Sequence, residues 1–190
     1  MIPYTLLEFE ELTSTNDFLK ENQTYFPHFT WIRADVQTQG RGQYDRTWQS
    51  NKGENLLFSV LLKQVHANDS DAMKRWIMDT MIDVLQSFGV SPHFKEPNDL
   101  YVNDQKICGI LIESMSMEHV FDVVIIGIGL NVNQMLFHGI NATSIKQQTG
   151  LSLHLRDLFI LIVEAMAKAY PRYLWQPSSI SFVSVCLQPF

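Results

Sequence analysis

The sequence predicts an α+β domain in which a central sheet is flanked by helices. Short runs rich in β-branched and aromatic residues lie at 31–36, 55–62 and 120–128, whereas 71–88 and 155–173 repeat apolar residues at helical spacing. The 190 residues and the 46% hydrophobic content suffice for one sizeable core. We therefore expect a single globular domain.

The first half of the chain alternates between strand and helix signals. Residues 6–12 are compatible with a strand, and the Ser-Thr-Asn sequence at 14–16 offers capping side chains for a short helix. Residues 37–48 lie between the predicted strands at 31–36 and 55–62, so we expect them to form a loop that connects two strands.

The second half begins with the clearest helix, 71–88. An Asn103-Asp104 turn separates the apolar runs at 100–102 and 106–114, which predicts a β-hairpin. The continuous β-branched run at 120–128 then predicts a strand at the centre of the sheet.

The last helix, 155–173, ends the regular pattern of the chain. Its predicted buried stripe consists of Leu158, Phe159, Ile162, Val163, Met166 and Tyr170. Because the periodicity stops after Trp175, we expect one domain over 1–175 and a short apolar tail, 176–190, that is too small for a further domain.

Charge and composition exclude several classes of protein. The formal net charge of −6 argues against a nucleic-acid-binding module, which normally presents a basic face. Cys108 and Cys186 are too few for a disulfide framework and lack the spacing of metal ligands, so a reducing cytoplasm is expected. The start of the chain carries no secretion signal, and no apolar run approaches the roughly 20 residues of a membrane span. We expect no nucleic-acid binding, no secretion and no membrane insertion.

A glycine-flanked arginine loop is the most informative polar feature. Gly40 and Gly42 allow the backbone to approach a ligand closely. Arg41 and Arg46 supply planar donors suited to phosphate or carboxylate oxygens, and Trp48 adds a flat apolar surface. Such a loop alone is more often an ordinary surface turn, so its interpretation depends on the clusters that follow.

A second polar cluster surrounds the predicted hairpin. Asn98 and Asp99 enter one strand and Lys106 begins its partner, so the three residues can share a pocket. Lys106 can then neutralise an α-phosphate together with a substrate carboxylate, while Asp99 holds Mg²⁺ or orients the lysine. The alternative is a solvated turn lysine. Gly109 is costly in a strand unless the backbone approaches another group, and Cys108 fits a packed apolar residue better than a nucleophile.

A third cluster is Gly127-Ile128-Gly129 followed by Asn131. A dinucleotide-binding fingerprint is excluded because neither a third glycine nor a βαβ unit follows. The glycines can let a ligand lie flat against the strand while Asn131 meets an adenine edge, or they can mark a tight strand end; spacing leaves both readings open. The 14–16 sequence can likewise cap a helix, bind an amide-like ring, or do both.

In their order along the chain, these clusters resemble the catalytic domain of biotin protein ligases. The resemblance extends over Ser14-Thr15-Asn16, Gly40-Arg41-Gly42, Lys95 to Asp99, Lys106 to Glu113 and Gly127 to Asn131. It implies a mixed, largely antiparallel central sheet flanked by helices, like that of class II aminoacyl-tRNA synthetases. It also implies synthesis of biotinyl-5'-AMP from biotin and ATP with Mg²⁺. Transfer of biotin to a lysine of a biotin carboxyl carrier domain, such as that of acetyl-CoA carboxylase, would follow.

The resemblance further implies roles for the residues that match. Arg41 and Lys106 are the expected catalytic residues. The expected biotin contacts are Ser14, Thr15, Asn16, Gln37, Gly40, Arg41, Gly42, Gln43, Lys106 and Gly109. The expected nucleotide contacts are Arg46, Trp48, Asn98, Asp99 and Asn131, and Asp99 is the candidate magnesium ligand.

The sequence also departs from the family pattern. Gln43 stands where many members carry a second arginine, so weaker retention of the adenylate is expected, and Glu96 replaces the usual tryptophan with a negative charge near Asp99. The chain starts too close to Ser14 for the winged helix of repressor members and is too short after Trp175 for the C-terminal β-barrel of others, so no operator binding is expected. A homodimer is expected only by analogy.

Two alternatives to a biotin protein ligase remain at this point. A lipoate ligase-like enzyme would share the fold and the two-step scheme, although the segment from Lys95 to Asp99 and the loop at 40–42 favour biotin. A non-catalytic binder of biotin or biotinyl-adenylate is suggested by Gln43, Glu96 and the missing barrel.

Overall fold

A computed structural model describes residues 2–44, 46–117 and 120–174 and shows the predicted α+β fold. Seven strands form one sheet in the order β1-β2-β3-β7-β6-β5-β4. The strands are β1 (Thr5–Leu12), β2 (Thr30–Gln37), β3 (Asn55–His66), β4 (His93–Lys95), β5 (Asp99–Val102), β6 (Gln105–Met117) and β7 (Val120–Asn131). The helices are α1 (Thr15–Asn22), α2 (Ser70–Ser87), α3 (Ile145–Thr149) and α4 (Leu155–Tyr173).

The sheet is mixed and largely antiparallel. β1 and β2 pair in parallel, because α1 forms a crossover between them, and the other neighbouring strands pair antiparallel. β3, β7 and β6 are the long central strands, and their alternation of side chains decides which residues face each layer of helices.

Helices α2 and α4 cover one face of the sheet and enclose the main core. Trp76 and Phe159 are fully buried there with Phe58, and Trp76 Nε1 donates to the carbonyl of Met166 at 3.0 Å. Burying one such large apolar side chain contributes about 1.5–3 kcal/mol. The predicted stripe of α4 is buried throughout and packs into this core, which confirms that prediction.

Helix α1 covers part of the opposite face. Its Leu19 packs with Ile32, Leu61, Val123 and Ile125 in a second, smaller core. α1 has only eight residues, so this face is covered at one end and open at the other. The open end lies over β6 and β7, where the site described below is found.

The short strand β4 and the short helix α3 were not predicted from the sequence. The three residues of β4 are all exposed, so they show no apolar alternation, and α3 is only five residues long. Ser144 caps the start of α3 by accepting from Gln147 N, and Gly150 ends it in the left-handed conformation, with φ of 76°. Pairing with β5 defines β4, and capping residues define α3. Neither element shows the periodic apolar pattern by which strands and helices are predicted from a sequence.

The predicted tail, 176–190, together with Trp175 and Cys186, lies outside the described residues. Among the helices that the structure describes, none is long and apolar enough to cross a membrane.

Candidate functional site

A cavity of about 650 Å³ opens on the α1 face of the sheet. Its floor is formed by backbone, because Gly109 and Gly129 pair across β6 and β7 and Gly127 pairs with Leu111. Alternation places these three glycines on the face where Ile125 meets α1. Beyond the helix, this strand face has no side chains of its own and leaves room for side chains from other segments.

Residues that are far apart in the sequence line this cavity. The lining includes Ser14, Thr15, Asn16, Gln37, Arg41, Gly42, Gln43, Arg46, Trp48, Asn98, Asp99, Lys106, Gly109 and Asn131. These are the residues predicted as site residues from the sequence, with the exception of Gly40, which is buried in the loop behind them. The fold thus brings the sequence clusters together, although their individual roles stay predictions.

The arginine loop is a small hairpin that folds back on itself. Arg41 and Thr47 form an isolated antiparallel bridge, Gly42 N donates to the carbonyl of Arg46 at 2.6 Å, and Trp48 N donates to the carbonyl of Gly40 at 2.9 Å. A Cβ at Gly40 would lie 2.8 Å from the carbonyl oxygen of Trp48, so this position requires glycine for a close backbone approach.

Trp48 lies on the glycine floor. A Cβ on Gly129 would overlap the indole of Trp48, and one on Gly109 would lie 2.7 Å from Cζ3 of the same ring. We expected the glycines to let a ligand lie flat against the strand; in the structure the surface they expose is occupied by the indole. The indole nitrogen Nε1 is buried, and no described residue accepts a hydrogen bond from it.

The Ser-Thr-Asn sequence both caps α1 and enters the cavity. Ser14 Oγ accepts from Asp17 N at 3.3 Å, and the amide N–H of Thr15 donates to Gln37 Oε1 at 2.7 Å. Asn16 lies against Gly127, where any Cβ would overlap its side-chain amide. The buried hydroxyl of Ser59 lies 2.6 Å from Asn16 Oδ1 and fixes its orientation. Capping and cavity lining therefore use the same residues.

Arg41 is held at the cavity by two carboxylates. Its Nη2 lies 2.6 Å from Asp17 Oδ1 and 2.8 Å from Glu113 Oε2. Partial burial acts to lower the pKa of Arg41, but the hydrogen bonds and charges of Glu113 and Asp17 outweigh burial, so its pKa is raised. The guanidinium remains charged at all physiological pH values.

Lys106 and Asp99 form an ion pair, as the predicted hairpin required. Lys106 Nζ lies 2.8 Å from Asp99 Oδ1 and 5.4 Å from the centre of the Trp48 ring. The lysine backbone is fixed by the segment after β7, because its N–H donates to Asn141 O at 3.1 Å and its carbonyl accepts from Thr143 N at 2.9 Å. The alternative of a solvated turn lysine is excluded by this geometry.

Asn98 and Asn131 have their amide donors engaged inside the protein. The side chain of Asn98 donates to the carbonyl of Ile110, and Asn131 Nδ2 donates to Thr143 O at 3.0 Å. The amide group of Asn131 therefore ties the end of β7 to the start of β6 and to Thr143, and its expected contact with an adenine edge stays a prediction.

The two departures from the family pattern occupy different environments. Gln43 lines the cavity and is half-buried. Glu96 is exposed and is absent from the cavity lining, whereas the neighbouring Pro97 and Asn98 belong to it. The negative charge of Glu96 consequently faces solvent, where water and salt screen it.

Three residues that organise the site were not predicted from the sequence. Asp17 and Glu113 hold Arg41, and Ser59 contacts Thr15 and Asn16 from β3. Period-2 alternation places Ser59 and Glu113 on the cavity face of their strands and was the available signal. It could not identify their partners, which lie 43 to 97 positions away in the sequence.

Two further observations concern the thiol of Cys108 and groups of potential metal ligands. Burial raises the pKa of Cys108 to about 12, with the charge of Lys106 acting in the opposite direction, so the thiol is no nucleophile. Within residues 2–44, 46–117 and 120–174, no group of three or more His, Cys, Asp or Glu side chains could hold a metal ion.

The arrangement is suited to an anionic ligand with an apolar part. Arg41 and Lys106 supply two cations from different segments, the floor is flat and apolar, and the 14–16 sequence offers short polar groups at one end. Cations that face one cavity lower the cost of bringing two anionic groups together.

Residues 6–131 match the biotin/lipoate A/B protein ligase family, which is well over half of the chain. The bifunctional ligase/repressor BirA of Bacillus spizizenii is 30% identical over 155 residues, covering 78% of this chain. The match covers 48% of that relative, so this chain spans about half the length of the relatives it matches.

Solved structures with similar folds include two biotin protein ligases. The enzyme from Aquifex aeolicus in complex with biotin and ATP has 27% identity and a TM-score of 0.77, over 90% of this chain and 72% of that one. The enzyme from Leishmania major in complex with biotinyl-5-AMP has 26% identity and a TM-score of 0.69, over 91% and 77%. LipL1 of P. falciparum in complex with lipoate, at 11% identity and a TM-score of 0.56 over 94% and 65%, shares the fold alone.

Proposed function

Because the chain belongs to the biotin/lipoate A/B protein ligase family, we propose that it activates biotin with ATP to biotinyl-5'-AMP and transfers biotin to a protein lysine. The observation that carries this proposal is the convergence of Arg41, Lys106 and the Ser14 to Asn16 sequence on one cavity inside the matched segment. Similarity to proteins solved with biotin, ATP and biotinyl-5-AMP supports the choice of ligands.

The first step joins two anions. A carboxylate oxygen of biotin attacks the α-phosphorus of ATP, the bond from that phosphorus to the bridging oxygen breaks, and pyrophosphate leaves. In this step Lys106 faces the carboxylate and the α-phosphate, and Arg41 faces the developing adenylate, so each reduces repulsion between the reactants. Asp99 keeps the Lys106 ammonium in position through their 2.8 Å contact.

The second step consumes the mixed anhydride. The amine nitrogen of an acceptor lysine attacks the biotinyl carbonyl carbon, AMP leaves, and the nitrogen loses its proton to give an amide. We assign the polar groups of Ser14, Thr15 and Asn16 to the biotin ring and Trp48 to the nucleotide side of the cavity. Gly40, Gly42, Gln43 and Gly109 shape the biotin side, and Arg46, Asn98 and Asn131 the nucleotide side.

Magnesium fits the site only together with the substrate. Asp99 offers one carboxylate and already pairs with Lys106, and Mg²⁺ is commonly held by one or two carboxylates with substrate phosphates and water. Bound there, the ion would neutralise phosphate charge. We propose a cytoplasmic enzyme whose partner is a biotin carboxyl carrier domain, such as that of acetyl-CoA carboxylase, and whose sheet edges allow a homodimer.

The decisive experiment incubates the purified chain with labelled biotin, ATP and Mg²⁺, with and without a biotin carboxyl carrier domain. We expect biotinyl-5'-AMP in the first reaction and label on the carrier in the second. Ligand binding without either product would identify a non-catalytic binder, and preferential use of lipoate would identify a lipoate ligase-like enzyme.

Lys106→Ala tests the mechanism in the same assay. Loss of a cation aimed at the reacting phosphate is expected to reduce adenylate formation about 100-fold or more. Lys74→Ala, which removes an exposed lysine from α2 on the opposite face, is the matched control and should retain activity. Equal rates for both variants would refute the role given to Lys106.

A further inference from the structure

Glu113 joins two parts of the site that are far apart in the sequence. A single oxygen, Oε2, accepts from Asn16 Nδ2 at 2.7 Å and from Arg41 Nη2 at 2.8 Å. The carboxylate is mostly buried on β6, with 23% of its side chain exposed, so water competes weakly for these contacts. The proposed biotin end of the cavity and the arginine loop therefore meet at one atom.

The contacts continue on both sides of Glu113. Ser59 Oγ lies 2.6 Å from Asn16 Oδ1 and 2.7 Å from Thr15 Oγ1, and Thr15 Oγ1 donates to Gln37 Oε1 at 3.0 Å. The resulting network consists of Gln37, Thr15, Ser59, Asn16, Glu113, Arg41 and Asp17. It links β2, β3 and β6 to the start of α1 and to the loop.

The two carboxylates engage only one nitrogen of Arg41. Both Asp17 and Glu113 contact Nη2, and in the described part of the chain no residue accepts a hydrogen bond from Nε or Nη1. Three N–H groups of the planar guanidinium are therefore left for a ligand, while the direction of the plane is set from behind.

We propose that Glu113 is a positioning residue: it orients Arg41 for the adenylate and couples that orientation to Asn16 at the biotin end of the cavity. The identity of the ligand in this inference rests on the proposed function, whereas the contacts of Glu113 are observed in the structure. A latch is the competing reading, in which the carboxylates keep Arg41 away from the ligand. The free Nε and Nη1 favour positioning, because a latch would be expected to occupy the donors that the ligand needs.

The first test uses the ligand-free protein. The arginine side-chain ¹⁵N resonance of Arg41, assigned by its loss in Arg41→Lys, reports rotation of the guanidinium. In Glu113→Gln the charge is lost but an oxygen acceptor for Asn16 is kept, so we expect rotation to become about threefold faster or more. Glu10→Gln, an exposed residue on β1 with the same change in charge, is the control and should leave rotation unchanged. Unchanged rotation in Glu113→Gln overturns the proposal.

The second test measures release of biotinyl-5'-AMP in a double-mutant cycle. Glu113→Gln is expected to speed release about three- to tenfold in the wild-type background and to have no effect in an Arg41→Ala background, because it acts through that arginine. A merely structural role would give equal effects in both backgrounds, and slower release would establish the latch; either result overturns the proposal. If the wild type forms no adenylate, the proposed function fails while the ligand-free test still decides the role of Glu113.

Discussion

Individual residues in this protein carry two tasks at once, and Trp48 is the clearest case. Its indole packs on Gly109 and Gly129, which explains two glycines in the middle of long strands. The same ring lies near Lys106 and lines the cavity. The glycines therefore shape the cavity indirectly, by leaving room for an aromatic side chain to pack on the strands.

Gly129→Ala tests the packing of the Trp48 indole on this glycine. The added Cβ overlaps the indole, so we expect a loss of about 1–3 kcal/mol in the free energy of unfolding, measured by urea denaturation. The matched background is Trp48→Ala, in which the same substitution should cost much less because the clashing atoms are gone. An equal cost in both backgrounds would show that another neighbour restricts Gly129.

His28 gives the stability of the protein a specific dependence on pH. Burial lowers its pKa below the ordinary value of 6.5, and Nδ1 accepts from Lys63 N at 3.0 Å, which requires the unprotonated nitrogen. The unfolded chain therefore binds a proton at a higher pH than the folded protein. Stability is retained above pH 6.5 and is lost as the pH falls from there toward the folded-state pKa.

His28→Asn should reduce this loss, because an amide oxygen can still accept from Lys63 N but does not titrate. Chemical denaturation between pH 7.5 and about 5 measures the difference between wild type and variant. His138→Asn changes an exposed histidine and should keep the wild-type slope. Parallel slopes for His28→Asn and the wild type would contradict the assignment.

At the scale of elements, the two faces of the sheet differ in role. One face packs against α2 and α4 and holds the main core, and the other holds the candidate site. Residues of β3 alternate between the core under α2 and α4, which includes Phe58, and the face toward α1, which includes Ser59. Helix α4 belongs wholly to the first side. Its stripe was predictable from the sequence because 3.6-residue periodicity is a local property.

Substitutions in α4 should follow this division. Phe159→Ala removes a fully buried ring and is expected to cost about 3–5 kcal/mol in thermal or urea unfolding. Leu161→Ala, two residues away on the exposed side of the same helix, should change stability by no more than about 0.5 kcal/mol. Similar costs for the two variants would show that the face of α4 is wrongly assigned.

For the whole molecule, the two faces of the sheet should act independently. A ligand that binds only the folded chain stabilises it by about 2.7 kcal/mol at a concentration 100 times its Kd. Biotin should therefore raise the melting temperature, and the gain in free energy should be the same in wild type and in Phe159→Ala, whose change lies in the core of the opposite face.

Differential scanning calorimetry at matched biotin saturation checks this expectation. Lys106→Ala serves as a comparison within the site, since it should reduce the further gain produced by adding ATP. A gain from biotin that disappears in Phe159→Ala would show that the α2 and α4 core is coupled to the cavity.

The sequence by itself determined the class of fold, the long elements and the family. Strand runs, the stripe of α4 and the hairpin at Asn103-Asp104 follow from local periodicity and turn chemistry, and the ordered polar clusters carry the family resemblance. The short β4 and α3 escaped prediction because neither is long enough to show a period.

Only the tertiary structure decided how the site is assembled. Three contacts join residues that are 7 to 81 positions apart in the sequence. They are the packing of Trp48 on two glycines, the ion pair of Lys106 with Asp99 and the ion pair of Glu113 with Arg41. Such contacts depend on strand register and on where a short helix stops covering the sheet, and both are settled by packing of the whole chain. Local residue patterns identify which side chains are available, whereas the fold determines which of them meet.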